Sequence, residues 1–186
     1  MDESDQDRLR EALKRVAVAL KQSGVPFALT GGYAVWAHGG PESEHDVDFV
    51  VAEQDAQQVR EHLDATGLAV REPPEDWLFK VDVDDASVDV LYRMSSHPTT
   101  RQDLADVDEL EVLSVKMPVL PATDVVLHKL NALDEHYCDF AFEIPVARAL
   151  REQVDWARVR SGTAGNDFAA ALIFLLERLD IVPPAA

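Results

Sequence analysis

The stretch Thr30-Gly31-Gly32-Tyr33-Ala34-Val35-Trp36-Ala37-His38-Gly39, followed by Asp46-Val47-Asp48-Phe49-Val50-Val51, constrains this chain more than any other part of it. It reads as a glycine turn opening a helix, then a strand carrying two carboxylates two residues apart. Strand side chains alternate between faces, so Asp46 and Asp48 share one face while Val47 and Phe49 point to the other. Backbone N–H groups at a turn leading into a helix suit a phosphate. Two aspartates side by side suit a hard divalent cation such as magnesium. Together they describe a site for a metal-bound nucleoside triphosphate.

Pairs of the form Asp-x-Asp are common in a chain with 35 acidic residues, and Asp5/Asp7, Asp82/Asp84 and Asp106/Asp108 have the same spacing. Context separates Asp46/Asp48 from these, because its apolar neighbours bury the strand and the Gly-Gly turn lies just upstream. A solvated strand face is the competing reading. A third carboxylate, Asp89, sits inside the apolar run Val88-Asp89-Val90-Leu91-Tyr92. An acid there is costly to bury unless something cationic compensates it. With a two-residue turn at Asp85-Ala86, Asp82 falls opposite Asp89, and like charges facing each other across strands destabilise a sheet. A bound metal would relieve that; a bulge or an edge strand leaving Asp89 wet is the alternative.

The rest of the pattern is mixed α/β. Leu9, Leu13, Val16, Ala17 and Leu20 recur at helical spacing, which predicts a helix over 5–22 that Ser23-Gly24-Val25-Pro26 ends. Phe27-Ala28-Leu29 is a short buried strand, Tyr33 to Ala37 begins a helix stopped by Gly39-Gly40-Pro41, and 46–51 is a second strand. Residues 54–66 form a surface helix with Ala56, Val59 and Leu63 inward. Residues 77–81 and 88–92 form a hairpin turning near Asp84-Asp85-Ala86, and Glu111 to Val119 a further strand. Helices follow at 122–134, 142–153, 155–160 and 166–179, with 183–186 as a frayed end. The chain divides into an α/β core over 1–115 and a helical part over 116–186 packed on it as layers of one globule.

The net charge of −18, with 17 Lys and Arg against 35 acids, disfavours nucleic acid as a partner. The single cysteine, Cys138, excludes an internal disulfide and a multi-cysteine zinc site. No apolar run reaches the roughly 20 residues of a membrane span, and the acidic start Met1-Asp2-Glu3-Ser4-Asp5 is unlike a secretory signal. The expected location is the cytoplasm, with no membrane partner.

Gly31-Gly32, then Asp46-x-Asp48, then a distant Asp89 on a strand resemble the signature of nucleotidyltransferases of the DNA polymerase β superfamily. Gly-Gly-Tyr-Ala-Val-x-x-His-Gly followed by Asp-Val-Asp-Phe is similar to its small bacterial group, which includes toxins of toxin–antitoxin and phage-defence systems. The resemblance covers about 25–92, and more loosely Val119-Leu120-Pro121-x-x-Asp124-x-x-x-x-Lys129. It implies a polymerase-β-like α/β fold, a small mixed sheet flanked by helices, and transfer of a nucleoside monophosphate from a triphosphate such as ATP to an acceptor hydroxyl, releasing pyrophosphate. The roles it implies are Gly31, Gly32, Tyr33 and Lys129 on the nucleotide, and Asp46, Asp48 and Asp89 as catalytic ligands of two magnesium ions, with manganese as the substitute. Asp89 would also help activate the attacking hydroxyl. A toxin-type enzyme would bring an antitoxin partner. A protein side chain, a tRNA end and a small hydroxylated molecule such as an aminoglycoside remain open as acceptors, and the acidic charge favours a protein or a cationic small molecule over tRNA. A non-catalytic nucleotide- or partner-binding module of the same fold is the rival.

One departure stands out: relatives often carry a basic residue or threonine just before the carboxylate pair, whereas this chain has Pro41-Glu42-Ser43-Glu44-His45. Two more acids beside a triphosphate pocket would weaken nucleotide binding. His38 reads as the C-terminal residue of its helix, favourable to the helix dipole. His128, His136, Cys138 and Asp139 match no standard zinc spacing and read as packing residues. Trp77, Trp156 and Tyr92 read as core, and Leu172, Leu175, Leu176 and Leu179 as a packed helical stripe.

Overall fold

The computed structural model describes residues 3–95 and 97–184. The first half runs α1 (Glu3–Ser23), β1 (Phe27–Thr30), α2 (Gly31–Ala37), β2 (Val47–Val51), α3 (Ala56–Ala65) and β3 (Ala69–Arg71). Then come β4 (Leu78–Val83), β5 (Ala86–Leu91), β6 (Arg93–Met94), β7 (His97–Pro98), β8 (Asp108–Val112) and β9 (Val115–Val119). Four helices close the chain: α4 (Ala122–Asn131), α5 (Phe140–Leu150), α6 (Trp156–Gly162) and α7 (Asp167–Arg178).

One mixed sheet organises these elements, in the order β3-β4-β5-β2-β1-β9-β8. Strand β2 runs antiparallel to β1 but parallel to β5, and β1 runs parallel to β9. Helix α1 lies along the sheet because its apolar stripe has nowhere else to go. Leu9, Leu13, Val16, Ala17 and Leu20 are all buried, and α1 contacts β4, β5, β2 and β9. Each such leucine contributes about 1.5–3 kcal/mol through burial. Ala56, Val59 and Leu63 bury one face of α3 in the same layer.

Two turns differ from what the residue pattern predicts. The segment 111–119, expected as one strand, belongs to the β8–β9 hairpin, with its turn at Leu113 and Ser114, both at positive φ (51° and 63°). Such a turn matches strand twist but usually uses Gly or Asn; two ordinary residues there hide it. The β4–β5 hairpin turns at Asp84-Asp85 rather than at Asp85-Ala86, pairing Val83 with Ala86. The three short strands β3, β6 and β7 carry too few residues for a periodic signal.

Strand β9 crosses the boundary drawn at residue 115 and carries the sheet to Val119 before the helices begin. Helix α4 then packs on α2, α6 and α7. Side chains cap the last three helices: Asp139 accepts from Ala141 N, Asp155 from Arg158 N and Asn166 from Ala169 N. The stripe of α7 is Ala169, Leu172, Ile173 and Leu176, whereas Leu179 and Phe174 face solvent. Of the frayed end, Ala185 and Ala186 lie outside the described residues, as do Met1 and Asp2. No helix among the described residues is long and apolar enough to cross a membrane.

Candidate active site

Register places a row of charged side chains straight across the sheet. Arg71 on β3 is paired with Lys80 on β4, Lys80 with Asp89 on β5, Asp89 with Asp48 on β2, and Asp48 with Thr30 on β1. Register partners share a face, so Asp48 and Asp89 are neighbours despite their separation in sequence. Asp46, just before β2, adds a third carboxylate from the exposed end of the strand. Lys80 takes the place expected for Asp82: its Nζ donates to both carboxylate oxygens of Asp89, at 2.6 and 2.8 Å. Asp82 lies opposite Ser87 and pairs with Arg71, which holds its carboxyl below the usual range.

Asp48 carries the electrostatic stress of this row. Burial, then the charges of Asp46 and Asp89, push its pKa up to about 7, against the opposing pull of Lys129 and Lys80. Burial and like-charged neighbours both disfavour the ionised carboxylate. Gly31 makes the arrangement sterically feasible. Its φ is +62°, and a Cβ there would stand 2.0 Å from Asp48 Oδ2, so the carboxylate occupies the space a side chain would take. Lys129, on α4, lines the same site and pairs with buried Glu143 at 3.2 Å.

The acidic loop 41–45 is partly neutralised from outside the expected site. Arg10 on α1 grips Glu42 through two bonds of 2.8 Å, so only Glu44 of the two extra acids stands exposed. Ser43 rests on Gly32, where a Cβ would lie 2.6 Å from Ser43 Oγ, and its hydroxyl donates to Asp46 O at 3.1 Å. Tyr33, expected on the nucleotide, is instead fully buried; burial and then Glu42 push its hydroxyl up to about 12, and among the described residues that hydroxyl has no hydrogen-bond partner. The periodicity of α2 turns Tyr33 into the core once Gly31 and Gly32 face the carboxylates.

Two clefts meet at Gly31, Asp48 and Lys129. One, of about 490 Å³, runs along Gly32, the 41–46 loop and the start of α5. The other, of about 770 Å³, runs past Trp77, Leu91, Arg93, His128 and Asp134. Trp77 is 45% exposed on the wall of this second cleft, not core as expected, while Trp156 is buried. Arg93 is held there between Glu53 at 2.6 Å and Asp76 at 3.0 Å. Lys80 carries no local signal in the sequence, and Trp77 reads there as core. A turn placed at Asp84-Asp85 would have found Lys80 by setting it opposite Asp89.

His38 and His128 behave as packing residues, whereas His136, expected to pack, is exposed. His38 caps α2 and bonds Leu120 O through Nε2 at 2.8 Å, and its own carbonyl accepts from Gln153. His128 contacts Ser95 Oγ, and burial lowers its pKa. His45 and His136 are exposed.

A divalent cation is chemically suited to Asp46, Asp48 and Asp89, which offer hard oxygen donors and an excess of negative charge. Yet among the described residues no three His, Cys, Asp or Glu side chains are arranged to hold a metal ion. Asp89 spends both its oxygens on Lys80. The donor set fits, provided Asp89 leaves its lysine.

A family model described as aminoglycoside-2''-adenylyltransferase matches residues 12–119. Among solved structures, a crystal structure of ANT(2'')-Ia in complex with adenylyl-2''-tobramycin is similar with a TM-score of 0.59 at 12% identity, over 88% of this chain and 95% of that one. An antigenic nucleotidyltransferase-like protein from Paracoccidioides brasiliensis gives 0.52 at 11%, over 94% and 89%. Lincomycin-bound LnuA, a lincosamide antibiotic adenylyltransferase, gives 0.50 at 13%, over 73% and 92%. A search of curated proteins finds no match. The structural likenesses carry the fold: the mixed sheet is that of small nucleotidyltransferases of the polymerase β type. The family match covers the row of carboxylates and all nine strands described above.

Proposed function

The chain belongs to the aminoglycoside-2''-adenylyltransferase family, and from that premise we propose that it moves an adenylate from ATP to a hydroxyl of a small cationic acceptor of the aminoglycoside class, in the cytoplasm. The observation that supports this best is the meeting of two clefts at Asp48, beside Asp89 in register. A two-substrate transfer needs both reactants to reach one point. The triphosphate lies along Gly31, Gly32 and Lys129 in the smaller cleft. The acceptor enters the larger one, where Trp77 offers an aromatic face to a sugar ring. Asp134, together with Asp76 (shared with Arg93), offers negative charge to its ammonium groups there.

Asp46 and Asp48, with Asp89, would hold two magnesium or manganese ions, whose bound charge would neutralise the phosphates and polarise the reacting oxygens. The acceptor oxygen forms a bond to the α-phosphorus as the bond to the β-phosphate oxygen breaks. Pyrophosphate leaves with its electron pair, and Asp89 receives the hydroxyl proton. Lys129 and the backbone of Gly31 and Gly32 hold the leaving phosphates. A cationic acceptor also suits a molecule of net charge −18 far better than tRNA does. The family match supports such an acceptor over the protein or tRNA targets of a toxin-type enzyme.

The test is incubation of the protein with magnesium and α-labelled ATP against aminoglycosides with and without a free 2''-hydroxyl, purified tRNA and cell protein. We expect label on the aminoglycosides that keep the hydroxyl and stoichiometric pyrophosphate. Preferential labelling of tRNA or protein would overturn the acceptor. No pyrophosphate with any acceptor would favour the non-catalytic module.

The Arg10–Glu42 clamp gives a second expectation. Arg10→Met frees Glu42 beside the triphosphate cleft and loosens the loop over Gly32, so the KM for ATP should rise several-fold with kcat close to wild type. Steady-state kinetics at saturating acceptor check it; an unchanged KM would show that the clamp does not shape the nucleotide cleft.

A further inference from the structure

Lys80 is not a surface lysine that happens to touch an acid. Its neighbours on β4, Phe79 and Val81, are fully buried. It lies between Arg71 and Asp89 in the row across the sheet. Both Asp89 oxygens accept from it, and the lysine and aspartate side chains are only 28% and 17% exposed. Arg71, its other neighbour, is committed to Asp82. One ammonium thus covers the carboxylate that the proposed transfer needs as a metal ligand.

We propose that Lys80 is a positioning residue that stands in for the divalent cation on Asp89, competing with it and setting how tightly the cleft takes it. Resting on the adenylyl-transfer reading, this adds a regulating residue that the transfer chemistry does not itself require. An ammonium and a magnesium ion on one carboxylate repel each other, so metal entry displaces the Lys80 Nζ from at least one Asp89 oxygen. The lysine's flexible stem permits this where arginine's fixed two-pronged fork would not yield as readily. In the metal-free protein Lys80 offsets the repulsion between Asp48 and Asp89; with metal bound it is free to turn toward solvent.

The experiment titrates Mn²⁺ alone into the full chain, following free Mn²⁺ by electron paramagnetic resonance, for wild type, Lys80→Met and Lys80→Arg. Met matches the lysine stem without the charge. We expect Lys80→Met to bind Mn²⁺ about tenfold more tightly than wild type, because one competing cation is gone, and Lys80→Arg to bind no more tightly than wild type. Equal or weaker binding by Lys80→Met would overturn the proposal and leave the lysine a structural ion pair. If wild type still transfers adenylate in that case, only the role of Lys80 falls; absence of transfer as well would take the functional reading with it.

Discussion

Asp48→Asn should lose adenylyl transfer by roughly 10³-fold or more, the several kcal/mol that a metal-holding carboxylate contributes to a displacement at phosphorus, while the metal-free protein becomes more stable. The gain follows from the sign of the Asp48 shift. Its carboxyl, ordinarily near 3.8, is pushed up to about 7 in the fold, chiefly by burial and then by Asp46 and Asp89. Between those values the folded chain binds the proton that the unfolded chain has released. Stability therefore falls as pH rises through that window and levels off above about 7. Asparagine has no proton to lose, so the variant should lack this slope and exceed wild type at pH 8 by ~1–2 kcal/mol, the shift discounted for solvent and the nearby lysines. Thermal melts from pH 4 to 8 without metal, beside a transfer assay, check both halves. A large stability loss at pH 8 would make Asp48 a structural residue and undercut its catalytic role.

That a carboxylate can be harmful to the fold explains why this site shows in the sequence at all. Asp46-Val47-Asp48-Phe49 and Val88-Asp89-Val90 break the rule that strand interiors are apolar, and such breaks concentrate where function overrides packing. Local pattern also reveals α1, with five apolar residues at helical spacing, and the strands on either side of Gly31. What local pattern cannot carry is register. The position of the β4–β5 turn decides whether Asp82 or Lys80 faces Asp89, and moving every cross-strand partner by two residues leaves the alternation of faces unchanged. The reading of Trp77 as core fails for a related reason: it precedes β4 at the end of the sheet, and it opens onto a cleft that distant residues of α4 also line. Arg10 and Glu42 are 32 residues apart, and only the packing of α1 against the sheet brings them together. Tyr33 differs again, because the helix it stands in is seven residues long and its inward face is set by where the glycines must point.

Gly31 should be the least replaceable residue outside the carboxylates. Gly31→Ala meets two obstacles at once: a φ of +62° that an L side chain rarely adopts, and an Asp48 oxygen 2.0 Å from the new Cβ. Backbone strain alone costs about 1 kcal/mol, and the forced displacement of a packed side chain adds ~1–3 kcal/mol. Gly39 separates the two, since its φ is +93° and nothing lies within 4 Å of its Cβ position; Gly39→Ala should show the strain without the clash. Transfer by Gly31→Ala should fall by roughly 10²-fold or more, because a shift of about 1 Å at a reacting constellation has that effect. The deciding measurement is a double-mutant cycle by chemical denaturation with Asp48→Ala. Removing the carboxylate should restore ~1–2 kcal/mol of what Gly31→Ala loses, a coupling of the size seen for residues in contact. Strict additivity would mean that the cost lies in the backbone alone, and that the fit of Gly31 against Asp48 is not what holds the carboxylate in the row.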